Sequence, residues 1–340
     1  MVRHRMWLLC ALMPVTVALV GCSSPTARTV PSTNGTNSYA PGHLSALVEP
    51  DQGIAPLYAL IASAHRSLDL TMYELVDTKA ALALEAAAGR GVNVRVVLDT
   101  NNERSANQPA YDELTAMGVH VVWADRRYAS THEKTLVVDG TTAAIMSLNL
   151  TSRYYADTRD YGVVDNDRAD VAAIEQVFQA DFAHQSITPS AATGLVWSPG
   201  SAPALLGLID SATSTLLVEN EEMAYTPVTS ALARAAHRGV HVVVVMTDQP
   251  RWHPAFSTLV AAKVSVRTYT QNARLYIHAK AIVADAGTSH QRAFVGSENF
   301  SGASLTRNRE LGLLTSDAGV VGTLATTITG DASGADAWRH

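Results

Sequence analysis

Two stretches of the chain carry the same polar side chains at the same spacing. Each reads His, one residue, Lys, four residues and Asp, with mostly apolar residues in between. The members are His132, Lys134 and Asp139 in the first stretch and His278, Lys280 and Asp285 in the second. An imidazole can attack an ester or exchange a proton near neutral pH, and an ammonium group stabilises negative charge. The two stretches therefore suit chemistry on an anionic ester.

A single His-x-Lys pair on a strand is typical of a half-exposed surface. Here the apolar flanks predict buried strands, on which residues two apart point to the same face. Burying polar groups without a function is energetically costly. Because the same residue types recur at matching points, we interpret His132, Lys134, His278 and Lys280 as catalytic.

A second polar pair follows each stretch, again with a spacing of two residues. The pairs are Ser147 with Asn149 and Ser297 with Asn299. Hydroxyl and amide groups can donate hydrogen bonds to an anion. Because each pair is spaced by two residues, we expect both of its side chains to point to one face.

An acidic residue recurs further along each copy. Asp160 lies 28 residues after His132, and Glu310 lies 32 residues after His278. The second copy also has four more residues in the loop that follows its aspartate. Once this loop is taken into account, the two acids occupy the same position in the repeat.

The chain around these residues is itself duplicated. Residues 57–75 resemble residues 205–223, and residues 81–100 resemble residues 231–248. Each copy shows a helical pattern, a strand, an Ala-rich helix ending near a Gly, and a Val-rich strand of the kind that helices cover on both faces. The pattern predicts an α/β fold of two duplicated halves, each a mixed sheet flanked by helices. We place the halves at residues 44–187 and 188–340, packed about a pseudo-twofold axis with one shared active site.

The N-terminus is typical of an exported protein. Arg3 and Arg5 precede an apolar run that ends at Gly21-Cys22 and is too short to span a membrane. This arrangement resembles a bacterial lipoprotein signal, which predicts removal of residues 1–21 and lipidation of Cys22; an ordinary secretory leader is the alternative. Residues 22–43 are rich in Ser, Thr and Pro and predict a flexible tether. We therefore expect an exported protein anchored to the outer face of the cell membrane.

The composition limits the classes of partner. Hydrophobic residues make up 47% of the chain and charged residues 16%, which excludes wholesale disorder. The net charge is −6, and removing the leader with its two arginines makes it −8. Because nucleic-acid binding depends on phosphate attraction, this balance makes a nucleic-acid partner unlikely.

The two copies resemble the signature of the phospholipase D superfamily, HxKxxxxD followed by GSxN, which occurs twice per active site. The resemblance covers residues 44–314, and Met146 stands where the signature has Gly. It implies that one neutral imidazole attacks phosphorus to form a phosphohistidine, while the other, protonated, donates to the leaving alcohol. It favours His132 as the nucleophile and assigns the orientation of the imidazoles to Asp160 and Glu310. It also implies that the serines and asparagines of the second polar pairs bind phosphate together with the two lysines: Ser147, Asn149, Ser297 and Asn299.

Asp139 and Asp285 fall on the opposite strand face from the lysines, and we expect them to have a structural role. The scheme requires no metal and no cofactor, since the lysines and the protonated imidazole supply the positive charge. The His-x-Lys spacing also differs from that of zinc ligands, and the exported chain has no cysteine pair.

These observations favour a phosphodiesterase that hydrolyses the headgroup bond of phospholipids to give phosphatidate. A phosphatidyl transferase of the cardiolipin-synthase kind and a metal-independent nuclease are the alternative enzymes, and a non-catalytic binding lipoprotein is the alternative from another class. We expect a monomer whose partners are its phospholipid substrate and, through the anchor, the membrane. The sequence leaves the roles of two loops undecided. Arg126 and Arg127 either bind a phosphate or are solvated surface residues, and residues 219–222 could contact a cationic headgroup.

Overall fold

The structure is a computed structural model that describes residues 44–190 and 194–339. The predicted signal peptide, the predicted lipidation site Cys22 and the predicted tether to residue 43 lie outside the described residues. Within the described ranges, no helix combines the length and the apolar character needed to cross a bilayer.

The first half forms one mixed sheet in the order β1-β7-β6-β5-β2-β3-β4. Its strands are β1 (Leu44–Glu49), β2 (Ser67–Met72), β3 (Asn93–Leu98), β4 (His120–Trp123), β5 (Thr135–Val138), β6 (Thr142–Met146) and β7 (Thr158–Asp165). Its helices are α1 (Ala55–Ala62), α2 (Thr78–Gly89), α3 (Arg104–Ala116) and α4 (Arg168–Phe182), with a 3-10 turn at Ser152–Tyr154. Strands β2, β3 and β4 run parallel, and the other neighbours on this path pair antiparallel.

The second half repeats this order, as β8-β15-β14-β13-β9-β10-β11, with β16 added at the edge. Its strands are β8 (Leu195–Ser198), β9 (Thr215–Asn220), β10 (His241–Thr247), β11 (Ser265–Tyr269), β12 (Tyr276–Ile277), β13 (Lys280–Ala284), β14 (Arg292–Gly296), β15 (Glu310–Thr315) and β16 (Asp336–Ala337). Its helices are α5 (Ala202–Ser211), α6 (Thr226–His237), α7 (His253–Ala261), α8 (Gly302–Thr306) and α9 (Ala318–Gly334), with a 3-10 turn at Pro250–Trp252. The predicted duplication of an α/β half is confirmed.

The apolar residues form three large clusters that match this layering. One cluster packs α1 and α2 on the first sheet, and another packs α5, α6 and α7 on the second. The third cluster is shared between the halves: Val163 of β7 and Val295 of β14 belong to it together with residues of α4 and α9. Because this cluster lies between the halves, it fixes the two sheets against each other.

Two short backbone pairings cross between the halves near this shared cluster. Strand β12 of the second half pairs with the start of β7, and Thr131 of the first half pairs with Arg309 at the start of β15. Equivalent segments of the two halves thus pair with the sheet of the opposite half, as expected of a pseudo-twofold arrangement. The pairings bring each His-x-Lys stretch to the partner sheet.

The aspartates that end the two motifs hold the strands to the helices. Asp285 lies at a positive φ of 51° and accepts hydrogen bonds from the backbone N–H groups of residues 213–215. Asp139 has a φ of 54° and accepts from the N–H groups of residues 65–67. Burial alone would raise the pKa of Asp285, but these backbone donors outweigh it and hold the pKa well below its usual range. Both aspartates thus connect the end of the motif strand to the backbone that precedes the neighbouring strand.

Asp285→Ala should therefore lower the free energy of unfolding by about 2 kcal/mol at pH 7, because three backbone N–H groups lose a charged acceptor. Since the folded-state pKa is depressed, this stabilisation is fully present above about pH 4 and disappears as the pH falls further. Urea unfolding between pH 3 and pH 8 measures the difference, with Glu113→Ala on the exposed side of α3 as the control. An unchanged difference at pH 3, or equal loss in the control, would contradict the assignment.

Candidate active site

The two His-x-Lys stretches enter the site as extended segments held by backbone hydrogen bonds to the other half. The N–H of His132 donates to the carbonyl of Arg309 over 2.9 Å, and the N–H of His278 donates to the carbonyl of Arg159 over 3.1 Å. In both copies the histidine precedes the regular strand, since β5 begins at Thr135 and β13 at Lys280. The histidines are therefore placed by the inter-half pairing rather than by their own sheet.

Each imidazole meets the acid of the opposite half. The Nδ1 atom of His132 lies 2.8 Å from Oε2 of Glu310, and Nδ1 of His278 lies 2.8 Å from Oδ1 of Asp160. An ionised carboxylate only accepts hydrogen bonds, so in both pairs Nδ1 is the donor. The other nitrogen, Nε2, is left for chemistry. In the structure each acid therefore faces the histidine of the opposite half, so the pairs are crossed between halves.

The environment of His132 favours its neutral form. Burial lowers the pKa of His132, and the nearby Lys134 lowers it further, although Glu310 acts in the opposite direction. Glu310 itself stays ionised, because His132 and Lys134 outweigh the effect of burial and lower its pKa. A neutral imidazole with a free Nε2 has the electron pair that a nucleophile needs.

Both lysines are almost completely buried. Lys134 donates to the carbonyl of His132 over 2.6 Å, and Lys280 donates to the carbonyl of His278. Burial, together with the charge of Lys280, lowers the pKa of Lys134 to about 7. The ammonium protons that these bonds leave can donate to an anionic ligand.

The serines of the second polar pairs differ from the expectation that they bind phosphate. The hydroxyl of Ser147 donates to Asp160 over 2.5 Å and accepts from the N–H of Tyr161. The hydroxyl of Ser297 accepts from the N–H of Leu311 and donates to the carbonyl of the same residue. Both serines are fully buried. Their hydroxyls tie the motif to β7 and β15, so we correct their role to a structural one.

The asparagines keep unused polar atoms. The side-chain oxygens of Asn149 and Asn299 are buried and have no hydrogen-bond partner, and the amide nitrogen of Asn299 donates to Glu221 over 3.4 Å. An amide oxygen only accepts hydrogen bonds, so the groups of these residues that can donate to a phosphoryl oxygen are the amide nitrogens.

The loop residues left open by the sequence separate into different environments. Glu219 is buried and accepts from the hydroxyl of Tyr161, so it belongs to the interior. Arg127 is engaged by Asp125 and Ser186 at the surface. Glu221, in contrast, lies inside the site, with Oε2 at 3.2 Å from Nζ of Lys280. The sequence signal for Glu221 is its position in the repeat, which matches Tyr73, beside the ring of His132.

A cavity of about 460 Å³ opens beside His278. Its lining combines acids with tyrosines and includes Glu49, Asp157, Tyr154, Tyr155 and Tyr276. Burial and the neighbouring Asp160 raise the pKa of Glu49 to about 7, and one of its oxygens has no partner. Among the described residues, no group of three or more His, Cys, Asp or Glu side chains is arranged to hold a metal ion.

Comparison with known proteins gives consistent results. Residues 57–182 and 205–331 each match the family described as "Cardiolipin synthase, PLD-like domain". A mitochondrial cardiolipin hydrolase of Xenopus tropicalis is 32% identical over 133 residues, which cover 39% of this chain and 62% of that protein. A probable cardiolipin synthase of Bacillus subtilis is 28% identical over 129 residues, or 36% of this chain and 25% of that protein. This chain thus matches less than two thirds of the length of either relative.

Solved structures match most of the chain at low identity. Phosphatidylserine synthase of Haemophilus influenzae covers 87% of this chain, and 88% of its own, with a TM-score of 0.67 at 11% identity. Polyphosphate kinase of Porphyromonas gingivalis covers 85% of this chain, and 50% of its own, with a TM-score of 0.64 at 15% identity. These two share the fold. Because the family match includes both copies of the motif, this chain belongs to the phospholipase D-like family of the cardiolipin synthase type.

Proposed function

We propose that this protein is a phosphodiesterase that cleaves the headgroup bond of phospholipids through a phosphohistidine intermediate. The observation that carries the proposal is the crossed arrangement of two imidazoles, each oriented at Nδ1 by a carboxylate of the other half. Two histidines in opposite protonation states are what a double displacement requires, because one attacks while the other protonates the leaving group.

In the first step, Nε2 of His132 attacks phosphorus, and the bond to the headgroup oxygen breaks. His278 gives its proton to the leaving alcohol, while the two lysines and Asn149 and Asn299 stabilise the charge on the phosphoryl oxygens. In the second step, His278 takes a proton from water, the resulting hydroxide attacks phosphorus, and His132 leaves. The products are the headgroup alcohol and phosphatidate.

Three observations support a phospholipid as the substrate. Two relatives that match this chain are named after cardiolipin. The cavity beside His278 is lined by carboxylates and tyrosines, and the whole chain is acidic, so a nucleic-acid polyanion would meet repulsion. A metal-independent nuclease is therefore the weaker alternative. A phosphatidyl transferase has more support, because the matching family is described by cardiolipin synthase and an alcohol can replace water in the second step.

We further propose that Cys22 carries a lipid and holds the enzyme on the outer face of the cell membrane. The support comes from the sequence alone: a short basic region, an apolar run and a Cys at its end. Such an anchor raises the local concentration of lipid headgroups above that of soluble diesters.

Replacing the two histidines should separate their roles. On phospholipids, His132→Ala and His278→Ala should each lower kcat/KM by about 10³-fold or more. On bis(p-nitrophenyl) phosphate, whose leaving group needs no proton, His278→Ala should recover much of the lost rate of the first displacement, measured as the initial burst of p-nitrophenolate, and His132→Ala should not. His237→Ala, on the exposed side of α6, is the control. Recovery in the His132 variant instead would reverse the assignment, and full activity in both variants would refute it.

A substrate panel tests the reaction type. Dispersions of phospholipids with different headgroups should be converted to phosphatidate, and excess glycerol should divert part of the flux to a phosphatidyl-alcohol, because both acceptors meet the same phosphohistidine. Mass spectrometry of the products measures the ratio. Exclusive formation of the phosphatidyl-alcohol would favour the transferase. Cleavage of DNA with no action on any phospholipid would overturn the lipid proposal.

The anchor can be tested by fractionation. In a bacterial host that processes lipoproteins, the full-length protein should partition with membranes, and Cys22→Ser should lose the lipid. The mass of the N-terminal peptide identifies the modification. An unmodified Cys22 in protein found only in the soluble fraction would contradict the proposal.

A further inference from the structure

One carboxylate oxygen of Glu221 lies among the anion-binding groups of the second half. Its Oε2 atom is 3.2 Å from Nζ of Lys280, 3.4 Å from Nδ2 of Asn299 and 3.5 Å from Nε2 of His278. In the proposed mechanism these three groups face the phosphoryl oxygens and the leaving group. A fixed negative charge is therefore already present at the edge of the phosphate site.

The first half has an uncharged side chain at the equivalent position. Tyr73 directly follows β2 as Glu221 follows β9, and the duplicated segments align these two residues. The ring of Tyr73 lies edge-on to His132, with 4.6 Å between the ring centroids, and 4.8 Å from Nζ of Lys134. Both residues thus contact the His and Lys of their own half, but only Glu221 brings a charge.

The charge of Glu221 is held in place. The hydroxyl of Tyr276 donates to its Oε1 over 3.0 Å. Burial would raise the pKa of Glu221, but the charges of Lys280 and His278 outweigh it and hold the pKa far below its usual range. Glu221 is therefore ionised at any pH near neutrality. The titratable groups that face it are Lys280, His278, His132, Lys134, Tyr276 and Glu222.

Substrate and product differ in charge. A phosphodiester carries one negative charge, whereas a phosphomonoester carries nearly two above about pH 7, since its second proton dissociates near pH 6. We propose that Glu221 is a specificity-determining residue that lets the site bind singly charged phosphodiesters and reject doubly charged phosphomonoesters. The negative charge of Glu221 would favour release of phosphatidate and would weaken the binding of inorganic phosphate in the site. It rests on the proposed function only for the identity of the natural substrate.

The matched ligands for a test are dimethyl phosphate and methyl phosphate, which differ by one methyl group and one charge. Their inhibition constants are measured at pH 8 against hydrolysis of bis(p-nitrophenyl) phosphate. Glu221→Gln keeps the size of the side chain and removes the charge. It should tighten binding of methyl phosphate by about tenfold and that of dimethyl phosphate by about threefold or less. The carboxylate repels a ligand with two negative charges about twice as strongly as a ligand with one. At pH 5.5, where both ligands carry about one charge, Glu221→Gln should change the two inhibition constants by about the same factor.

Two further variants separate charge from structure. Glu221→Asp retains the charge and should restore rejection of methyl phosphate. Glu222→Gln removes a carboxylate one residue away and should leave the ratio of the two inhibition constants unchanged. If Glu221→Gln does not fold, Glu221→Ala provides the same comparison. Equal changes for both ligands, or no change for either, would overturn the proposal.

The outcome is independent of the natural substrate. If the protein cleaves the chromogenic diester but no phospholipid, the proposed function fails, and the two inhibition constants still test Glu221. If there is no turnover, titration of each ligand followed by phosphorus-31 NMR gives the dissociation constants directly. Selective tightening for methyl phosphate in Glu221→Gln would then support the inference without activity.

Discussion

The site depends on the exchange of hydrogen bonds between the two halves. Glu310 belongs to the second half but orients His132 of the first, and Asp160 does the reverse for His278. A buried carboxylate is costly unless it is paired and hydrogen-bonded. Separation of the halves would leave both acids without their imidazoles and both imidazoles without orientation. The shared apolar cluster between the sheets is therefore a condition for the chemistry as well as for stability.

The same burial makes the site responsive to an anion. Burial and the charge of Lys280 lower the pKa of Lys134 to about 7, so a second ammonium group beside Lys280 is costly. A bound phosphodiester adds negative charge and would favour the protonated form of Lys134. Lys280, in contrast, has a carboxylate partner in Glu221. The two copies of the motif have thus diverged electrostatically while keeping their reactive groups.

The sequence predicted the duplicated fold and the groups that meet at its centre, because the repeat aligns each histidine, lysine and acid. It did not predict the crossing of the acids. Asp160 and Glu310 occupy equivalent positions in their own copies, and this equivalence does not show which of the two histidines each acid contacts. The serines were misassigned for a related reason: β6 ends at Met146 and β14 at Gly296, so strand alternation no longer governs Ser147 and Ser297. The sequence also did not distinguish Glu221 from the other acids of its loop, because only the fold shows its contact with Lys280.

The replacement of the signature Gly by Met146 shows how the copies diverged without moving the site. In the second half, Gly296 faces Gly312, and a Cβ on Gly296 would lie 2.4 Å from the Cα of Gly312.

In the first half, Met146 faces Gly162, whose own missing side chain leaves space for the Met side chain. Two residues on, the first half has the apolar Leu148 where the second has Glu298, a buried acid whose pKa burial raises well above its usual range. Ser147 and Ser297 still donate their N–H groups to the opposing strands, over 2.8 Å and 3.1 Å. The exchange of Gly for Met is therefore absorbed by packing behind the motif, and the backbone pairing of the following serine is the same in both halves.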